Sequence, residues 1–181
     1  MAGAGKWVGL LAVVQALGCS GADWESFQAQ SPYVAPSRLN VQIVARTDGV
    51  DFREALDEFW AALSNELEAD GIRATYWPAG SPPPPPALFI IVEEWQPGDR
   101  GLRWLCGGLG SCGEGSMVVF VDVRAPARLV AGRVRGWVKS GVFGGSSMGA
   151  AEAAGTATGE VVARGEDALD PYRRRSHSPS R

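Results

Sequence analysis

The feature that most constrains this chain is one long amphipathic segment, DFREALDEFWAALSNELEADG (51–71). Its bulky apolar side chains recur every three or four residues, the spacing of one helical face; they are Phe52, Leu56, Phe59, Trp60, Leu63 and Leu67. Acidic residues fill the opposite face. We predict a helix that begins at a capping box formed by Asp51 and Glu54 and ends at Gly71, a residue type that favours helix C-termini.

Segments with strand periodicity flank this helix. RLNVQIVA (38–45) and SMVVFVDVR (116–124) alternate in polarity, as half-buried strands do. IRATYWP (72–78) predicts a shorter strand. The continuous apolar run in ALFIIVEEW (87–95) predicts a central strand covered on both faces. RLVAGRVRGWVKSG (128–141) predicts the second arm of an antiparallel hairpin with 116–124.

The order of elements predicts the fold class. A last segment, MGAAEAAGTATGEVVAR (148–164), predicts a helix of small residues that approaches the sheet closely. The resulting order is β-α-β-β-β-β-α, so we expect one α+β sandwich domain over 38–164, with its helices on one face of a mixed or antiparallel sheet. The proline run 82–86 predicts a surface loop in a polyproline conformation; the alternative is a ligand for a proline-reading domain.

The N-terminus carries the features of an export signal. Lys6 precedes an apolar run from Trp7 to Leu17, which is too short to span a bilayer. The run ends in ALGC (16–19), which resembles the bacterial lipobox. That resemblance implies cleavage after residue 18 and acylation of Cys19, with palmitate as an expected acyl chain, and Ser20 resembles the signal for sorting to the outer membrane. The alternative is an ordinary amphipathic helix with a buried cysteine.

The two segments that flank the predicted domain lack the periodicity of a helix or a strand. Residues 19–37 are rich in Ser, Gln, Pro and Gly, which predicts a tether between the lipid anchor and the domain. Residues 165–181 are polar and carry four arginines from position 173 onward, which predicts a disordered tail. Without those four arginines, 13 basic residues face 20 acidic ones. An acidic body of this kind argues against a nucleic-acid-binding protein.

Enzyme motifs are missing from the sequence. The single histidine, His177, lies in the tail, so we expect neither a histidine-based active site nor a histidine-rich metal site. Glu93 and Glu94 are adjacent in a predicted strand and should point to opposite faces, which prevents them from acting as a catalytic pair. GLGSCG (108–113) matches G-x-G-x-x-G but precedes a strand instead of a helix, so we predict no dinucleotide cofactor. We therefore predict a protein without enzymatic activity, cofactor or metal.

The other two cysteines flank that glycine-rich loop. In an oxidising compartment Cys106 and Cys112 are placed to form a disulfide. Two free thiols and, more remotely, a metal site are the alternatives.

A basic stripe on the predicted hairpin is the most suggestive surface feature. It consists of Arg124, Arg133, Arg135 and Lys139, with Trp137 among them. Such a stripe could meet an acidic protein, lipid phosphates or a glycan. The alternative is a solvated outer face without a partner.

Several segments together resemble a family. ALGC, the strand-helix start at 38–71, the glycine-rich segment 101–124 and the ending VRGWVKSGVFGGSSMGAAEAA (134–154) are similar to a bacterial lipoprotein family whose domain has no assigned function. The resemblance covers residues 38–163 and implies a fold similar to the periplasmic α/β module of TolB, LpoB and CsgG proteins. It supplies no catalytic residues.

We predict a lipid-anchored binding or assembly module of the cell envelope, on the periplasmic face of the outer membrane, whose partner is an envelope protein or a glycan. The alternative is a subunit of an oligomeric secretion or pore assembly in that membrane.

Overall fold

A mixed sheet of six strands forms the centre of the protein, as seen in a computed structural model that describes residues 20–30, 32–49, 51–99, 101–102, 113–139 and 148–165. Its strand order is β1-β6-β5-β4-β2-β3. β2 runs parallel to β3 and β4, and the remaining neighbours are antiparallel. The elements of the described part are β1 Ser20–Ala29, β2 Arg38–Ala45, α1 Phe52–Ala69, β3 Arg73–Tyr76, β4 Ala87–Gln96, β5 Gly115–Arg124, β6 Arg128–Val138 and α2 Gly149–Arg164.

The predicted α+β class is confirmed, and so is the antiparallel hairpin of β5 and β6. Both described helices pack on the same face of the sheet, which we call the helix face. Alternate residues of the strands point to it and are fully buried against the apolar stripe of α1 and the small residues of α2; they include Val41, Leu88, Ile90, Val119, Val121 and Val134. The opposite face, which we call the open face, has no helix on it among the described residues.

The two ends of α1 differ in how well the sequence predicts them. At its C-terminus the Gly71 and Ile72 amides donate to the carbonyls of Glu68 and Leu67, and Gly71 has a φ of 77°. This is the glycine-terminated helix end that the sequence predicts. The predicted capping box is wrong, because Asp51 adopts a left-handed conformation with a φ of 59° and its side chain makes no capping hydrogen bond.

Helix α2 lies unusually close to both the sheet and α1. A Cβ atom added at Gly136 of β6 would lie 2.1 Å from the Ala150 carbonyl oxygen and 2.7 Å from the Ala154 nitrogen. One added at Gly155 would lie 2.5 Å from the Phe59 carbonyl oxygen. All three obstacles are backbone atoms, which cannot rotate away as side chains do. The small-residue composition of α2 therefore sets the distance between the layers, as predicted.

The predicted tether over 19–37 is wrong for residues 20–29, which form β1 at one edge of the sheet, beside β6. The reason is a register shift between Trp24 and Ser26. Before the shift the partly buried side chains stand at even positions, as Ala22 and Trp24 do, and after it they stand at odd positions, as Phe27 and Ala29 do. No single alternation of buried and exposed residues therefore spans the segment. The described part of the sheet thus begins at Ser20, which follows the predicted acylation site in the sequence.

The segment between β1 and β2 is tied to the end of α2. The Tyr33 hydroxyl donates a hydrogen bond to the Val162 carbonyl. Burial raises the pKa of Tyr33 to about 12, so this hydroxyl stays protonated and remains a donor. Nearby, Arg164 pairs with Asp70 at 2.8 Å and Glu66 at 3.1 Å, which connects the ends of the two helices.

The proline run 82–86 lies in the connection between β3 and β4, outside any strand. Side chains of β2 hold this connection through its carbonyl groups. The Asn40 amide donates to the Pro84 carbonyl at 2.8 Å, and the Gln42 amide donates to the Ser81 carbonyl at 3.0 Å. Pro83 is buried. The loop is therefore fastened beside β2, because the polar residues of that strand supply the donors that prolines lack.

The prediction that β4 is covered on both faces is wrong. Leu88, Ile90 and Val92 are fully buried on the helix face, whereas Phe89 and Ile91 are only half-buried on the open face. A continuous apolar run normally reports two covering layers. Here one layer is missing from the described structure, and the apolar side chains of β4 are left partly accessible.

The close approach at Gly136 leads to a stability prediction. Gly136→Ala should lower the free energy of unfolding by about 1–3 kcal/mol, because its methyl group overlaps backbone atoms of α2. Gly149→Ala is the matched control, since a Cβ atom there would meet Val138 at an ordinary 3.5 Å. Urea unfolding followed by circular dichroism should show the control to be unchanged or slightly more stable. Equal stability of the two variants would contradict the close-packing argument.

Candidate interaction surface

The residues of the predicted basic stripe share the open face of the hairpin but are spread along its length, and carboxylates partly neutralise Arg133 and Arg135. The Arg133 Nε lies 2.8 Å from a Glu93 carboxylate oxygen, and its Nη1 lies 3.7 Å from one of Glu25. Arg135 lies 3.6 Å from Glu114. These arginine side chains are about half exposed, so each pair contributes at most about 1 kcal/mol. The pairs nevertheless balance the charge along this part of the open face.

Trp137 and Lys139 form a small cluster at the end of β6. The Trp137 indole nitrogen donates to the Asp23 carboxylate at 2.8 Å, and the Lys139 ammonium lies 4.6 Å from the centroid of the Trp137 ring. The ammonium is attracted to the electron-rich ring face. The tryptophan is therefore fixed in orientation by an acidic residue on β1 and a basic residue that follows β6.

Glu93 and Glu94 lie on the same side of the sheet, so the prediction that they point to opposite faces is wrong. The register of β4 against β5 shifts between Val92 and Glu94. This irregularity places Glu94 opposite Val118 while Glu93 reaches Arg133. A β-bulge of this kind interrupts strict alternation.

Asp122 is the most deeply placed charge of the open face. Its side chain is 3% exposed, and it accepts hydrogen bonds from two arginines. Arg124 donates from Nη2 at 2.6 Å and from Nε at 2.9 Å, and Arg128 donates from Nε and Nη2 at 3.0 Å. Burial by itself raises the pKa of Asp122, but the hydrogen bonds and charges of the two arginines outweigh it and hold that pKa below its ordinary value.

An apolar depression lies next to this cluster. The Arg124 guanidinium carbon lies 5.1 Å from the centroid of the Phe89 ring, which it partly covers. Val44, Ile91 and Phe120 continue the apolar surface across β2, β4 and β5. Arg46 and Arg128 stand at its rim. We call this depression, of about 290 Å³, the arginine groove; it is lined by Gln42, Val44, Arg46, Phe89, Ile90, Ile91, Phe120, Asp122, Arg124 and Arg128.

Both edges of the sheet are poor surfaces for strand pairing. β1 carries a bulge at Glu25 and exposes Asp23, features that discourage another strand from adding to an edge. β3 is only four residues long. With the helix face covered, the open face is the surface of the described structure best suited to a partner.

Other kinds of site are not found among the described residues. No group of three or more His, Cys, Asp or Glu side chains in these residues could hold a metal ion. No described helix is long and apolar enough to cross a membrane. The predicted acylation site Cys19, the predicted disulfide between Cys106 and Cys112, and most of the tail, 166–181, lie outside the described residues.

Comparison with known proteins gives a limited result. No protein-family model and no curated protein matches the sequence. Two solved structures of PelC dodecamers from Paraburkholderia phytofirmans, one of them a point variant, are similar in structure. They are 17% and 15% identical to this chain, with TM-scores of 0.47 and 0.48, and the alignments cover 81% of this chain and 98% of theirs. Similarity at this level does not establish a shared family or function.

Arg124 is the only residue of the arginine groove that also belongs to the predicted basic stripe. The strand patterns place Phe89 and Phe120 in strands but do not show that one face stays uncovered, and Asp122 fits the alternation of its strand as a polar residue. The available signal was an aspartate two residues before an arginine in an otherwise apolar strand, VVFVDVR (118–124). A buried acid in such a strand needs a cationic partner.

The Asp122 cluster leads to the second prediction. Asp122→Asn should lower the free energy of unfolding by about 1–3 kcal/mol at neutral pH, because two guanidinium groups lose their shared carboxylate. Asp23→Asn is the control: its side chain is exposed and keeps an acceptor oxygen for Trp137, so we expect a change within about 0.5 kcal/mol.

The direction of the Asp122 pKa shift also predicts how the stability of the parent protein and of Asp122→Asn depends on pH. The pKa of Asp122 is lowered in the folded protein, so its carboxylate stabilises the fold above the ordinary value of 3.8 and loses this effect as pH falls through the folded pKa. The stability difference between the parent protein and Asp122→Asn should therefore shrink below pH 3.8. Chemical denaturation across acidic pH checks this; a constant difference would contradict the assignment.

Proposed function

We propose that this protein is a non-enzymatic, lipid-anchored module of the bacterial cell envelope that binds a partner through the open face of its sheet. The observation that carries the proposal is the uneven covering of the sheet. Two helices bury the helix face, while the open face leaves Phe89, Ile91 and Phe120 half-buried next to exposed arginines. Aromatic residues and arginine are the types most enriched at the energetic centres of protein interfaces.

The position of β1 strengthens the anchoring part of the proposal. Ser20 pairs with Val138 at the edge of the sheet, so a lipid on Cys19 would join the domain without an intervening tether. An acyl anchor adds about 0.8 kcal/mol for each buried CH₂ group, and more than one chain makes membrane attachment stable. Direct attachment would also restrict how the domain can turn against the bilayer.

The anchor is tested by metabolic labelling with a palmitate analogue. We expect label in the parent chain and none in Cys19→Ala, because acylation of this type requires the thiol. Cys106→Ala serves as the control and should label like the parent. Equal labelling of Cys19→Ala and the parent, or no labelling of either, would contradict the anchor.

The binding face is tested by site-specific photo-crosslinking in intact cells. A photoreactive amino acid at Val44, which is 41% exposed on the open face, should give a discrete adduct. The same amino acid at Glu58, exposed on α1, is the control and should not give that adduct. Mass spectrometry then distinguishes a different protein from a second copy of this chain, the outcome expected for the alternative role as an assembly subunit. Equal adducts at both positions would contradict the open face as the binding surface.

A further inference from the structure

We propose that the arginine groove binds an acidic segment of a partner protein, in which acidic side chains pair with Arg46 and with Arg128 while a neighbouring apolar side chain packs on Phe89 and Phe120. The proposal rests on the proposed function and specifies the chemistry of the partner at the same surface.

The charge balance of the groove differs from that of the remaining open face. Three arginines line it, namely Arg46, Arg124 and Arg128, against the single carboxylate of Asp122. Among the described residues Arg46 has no ion-pair partner. Elsewhere on the same face Arg133 and Arg135 lie against Glu25, Glu93 and Glu114. At the groove, three arginines therefore share a single carboxylate, and charge complementarity calls for an anion there.

The two arginines on Asp122 are held in fixed positions. Arg124 is fixed by Asp122 on one side and by the face of Phe89 on another. Arg128 uses Nε and Nη2 for Asp122, which leaves the N–H groups of its Nη1 for a ligand. Its side chain is 54% exposed, so these donors are accessible. Groups that are already ordered lose little conformational entropy on binding, which favours affinity.

The apolar side chains at the base of the groove, which we call its floor, favour a ligand that is more than a simple anion. Val44 is 41% exposed, and Phe89, Ile91 and Phe120 are half-buried beside it. An inorganic anion would meet the arginines and leave this surface in water. A segment that carries an aromatic or aliphatic residue next to an acid satisfies both the charges and the floor.

The open shape of the groove favours a protein over a small amphiphile. Small-molecule sites are concave and enclose about 70–90% of their ligand. The groove is a half-open depression of about 290 Å³ on a sheet face, so a small ligand would remain partly exposed to water. A segment of a folded partner brings its own covering structure, and can extend across the neighbouring strands.

The test uses three short synthetic peptides of equal length with blocked termini. The first combines Glu with Leu and Phe, the second combines Glu with Ser, and the third combines Lys with Leu and Phe. Binding to the full chain in neutral detergent is followed by fluorescence anisotropy. We expect the first peptide to bind at least about tenfold more tightly than either of the others. Added salt should weaken that binding.

Two variants locate the contact. Arg46→Gln should weaken binding of the acidic, apolar peptide by about tenfold, because it removes a rim charge without unpairing Asp122. Arg53→Gln, on the exposed side of α1, is the matched control and should bind like the parent. Thermal unfolding of both variants confirms that neither change affects the fold.

The proposal is overturned if no peptide binds, if the basic peptide binds as well as the acidic one, or if both variants bind alike. Binding of anionic phosphatidylglycerol vesicles that is lost in Arg46→Gln, with no peptide binding, would assign the groove to a lipid. Concentration-dependent self-association lost in the same variant would assign it to a second copy. An adduct at Val44 that persists in Arg46→Gln would retain the proposed function while rejecting the acidic partner.

Discussion

The near-contact between α2 and the sheet is the constraint on which the rest of the structure depends. Gly136 lets the backbone of α2 reach β6, and Gly155 lets the same helix reach the backbone of α1. Because both helices are drawn together on one side, their apolar residues form a single core with the helix face of the sheet. A layer packed so closely does not need bulky side chains on α2. Because both described helices lie on the helix face, no described helix covers the open face.

On the open face, charged side chains take the place of a second layer and partly cover the apolar residues of the strands. The guanidinium of Arg124 partly covers Phe89, and Asp122 is buried beneath its two arginines. Long basic side chains can cover apolar surface while their charged ends stay in water. This explains why β4 can be apolar on both faces although helices cover it on only one of them in the described structure. The cover is incomplete near Val44, where the arginine groove opens.

Much of the fold could be predicted from periodicity because most elements keep one period throughout. The bounds of β2 agree with the alternation over 38–45, and α1 follows its apolar stripe to the glycine at its end. β1 was missed because a bulge at Glu25 breaks its alternation in two. The failure at Asp51 has a similar origin, since a left-handed backbone conformation cannot be inferred from residue types that usually form a capping box. Local irregularities, rather than weak propensities, account for these errors.

The interaction surface was harder to predict than the fold, because a list of basic residues does not show how much of their charge nearby carboxylates neutralise. Arg133 and Arg135 belong to the predicted stripe, yet carboxylates brought from β1, β4 and the start of β5 lie against them. Arg46 stands outside the stripe in sequence but has no such partner among the described residues. Opposite charges distant in sequence become neighbours only through strand order and register. The charge available to a partner is what remains after these pairs have formed, and at the arginine groove three arginines remain against one carboxylate.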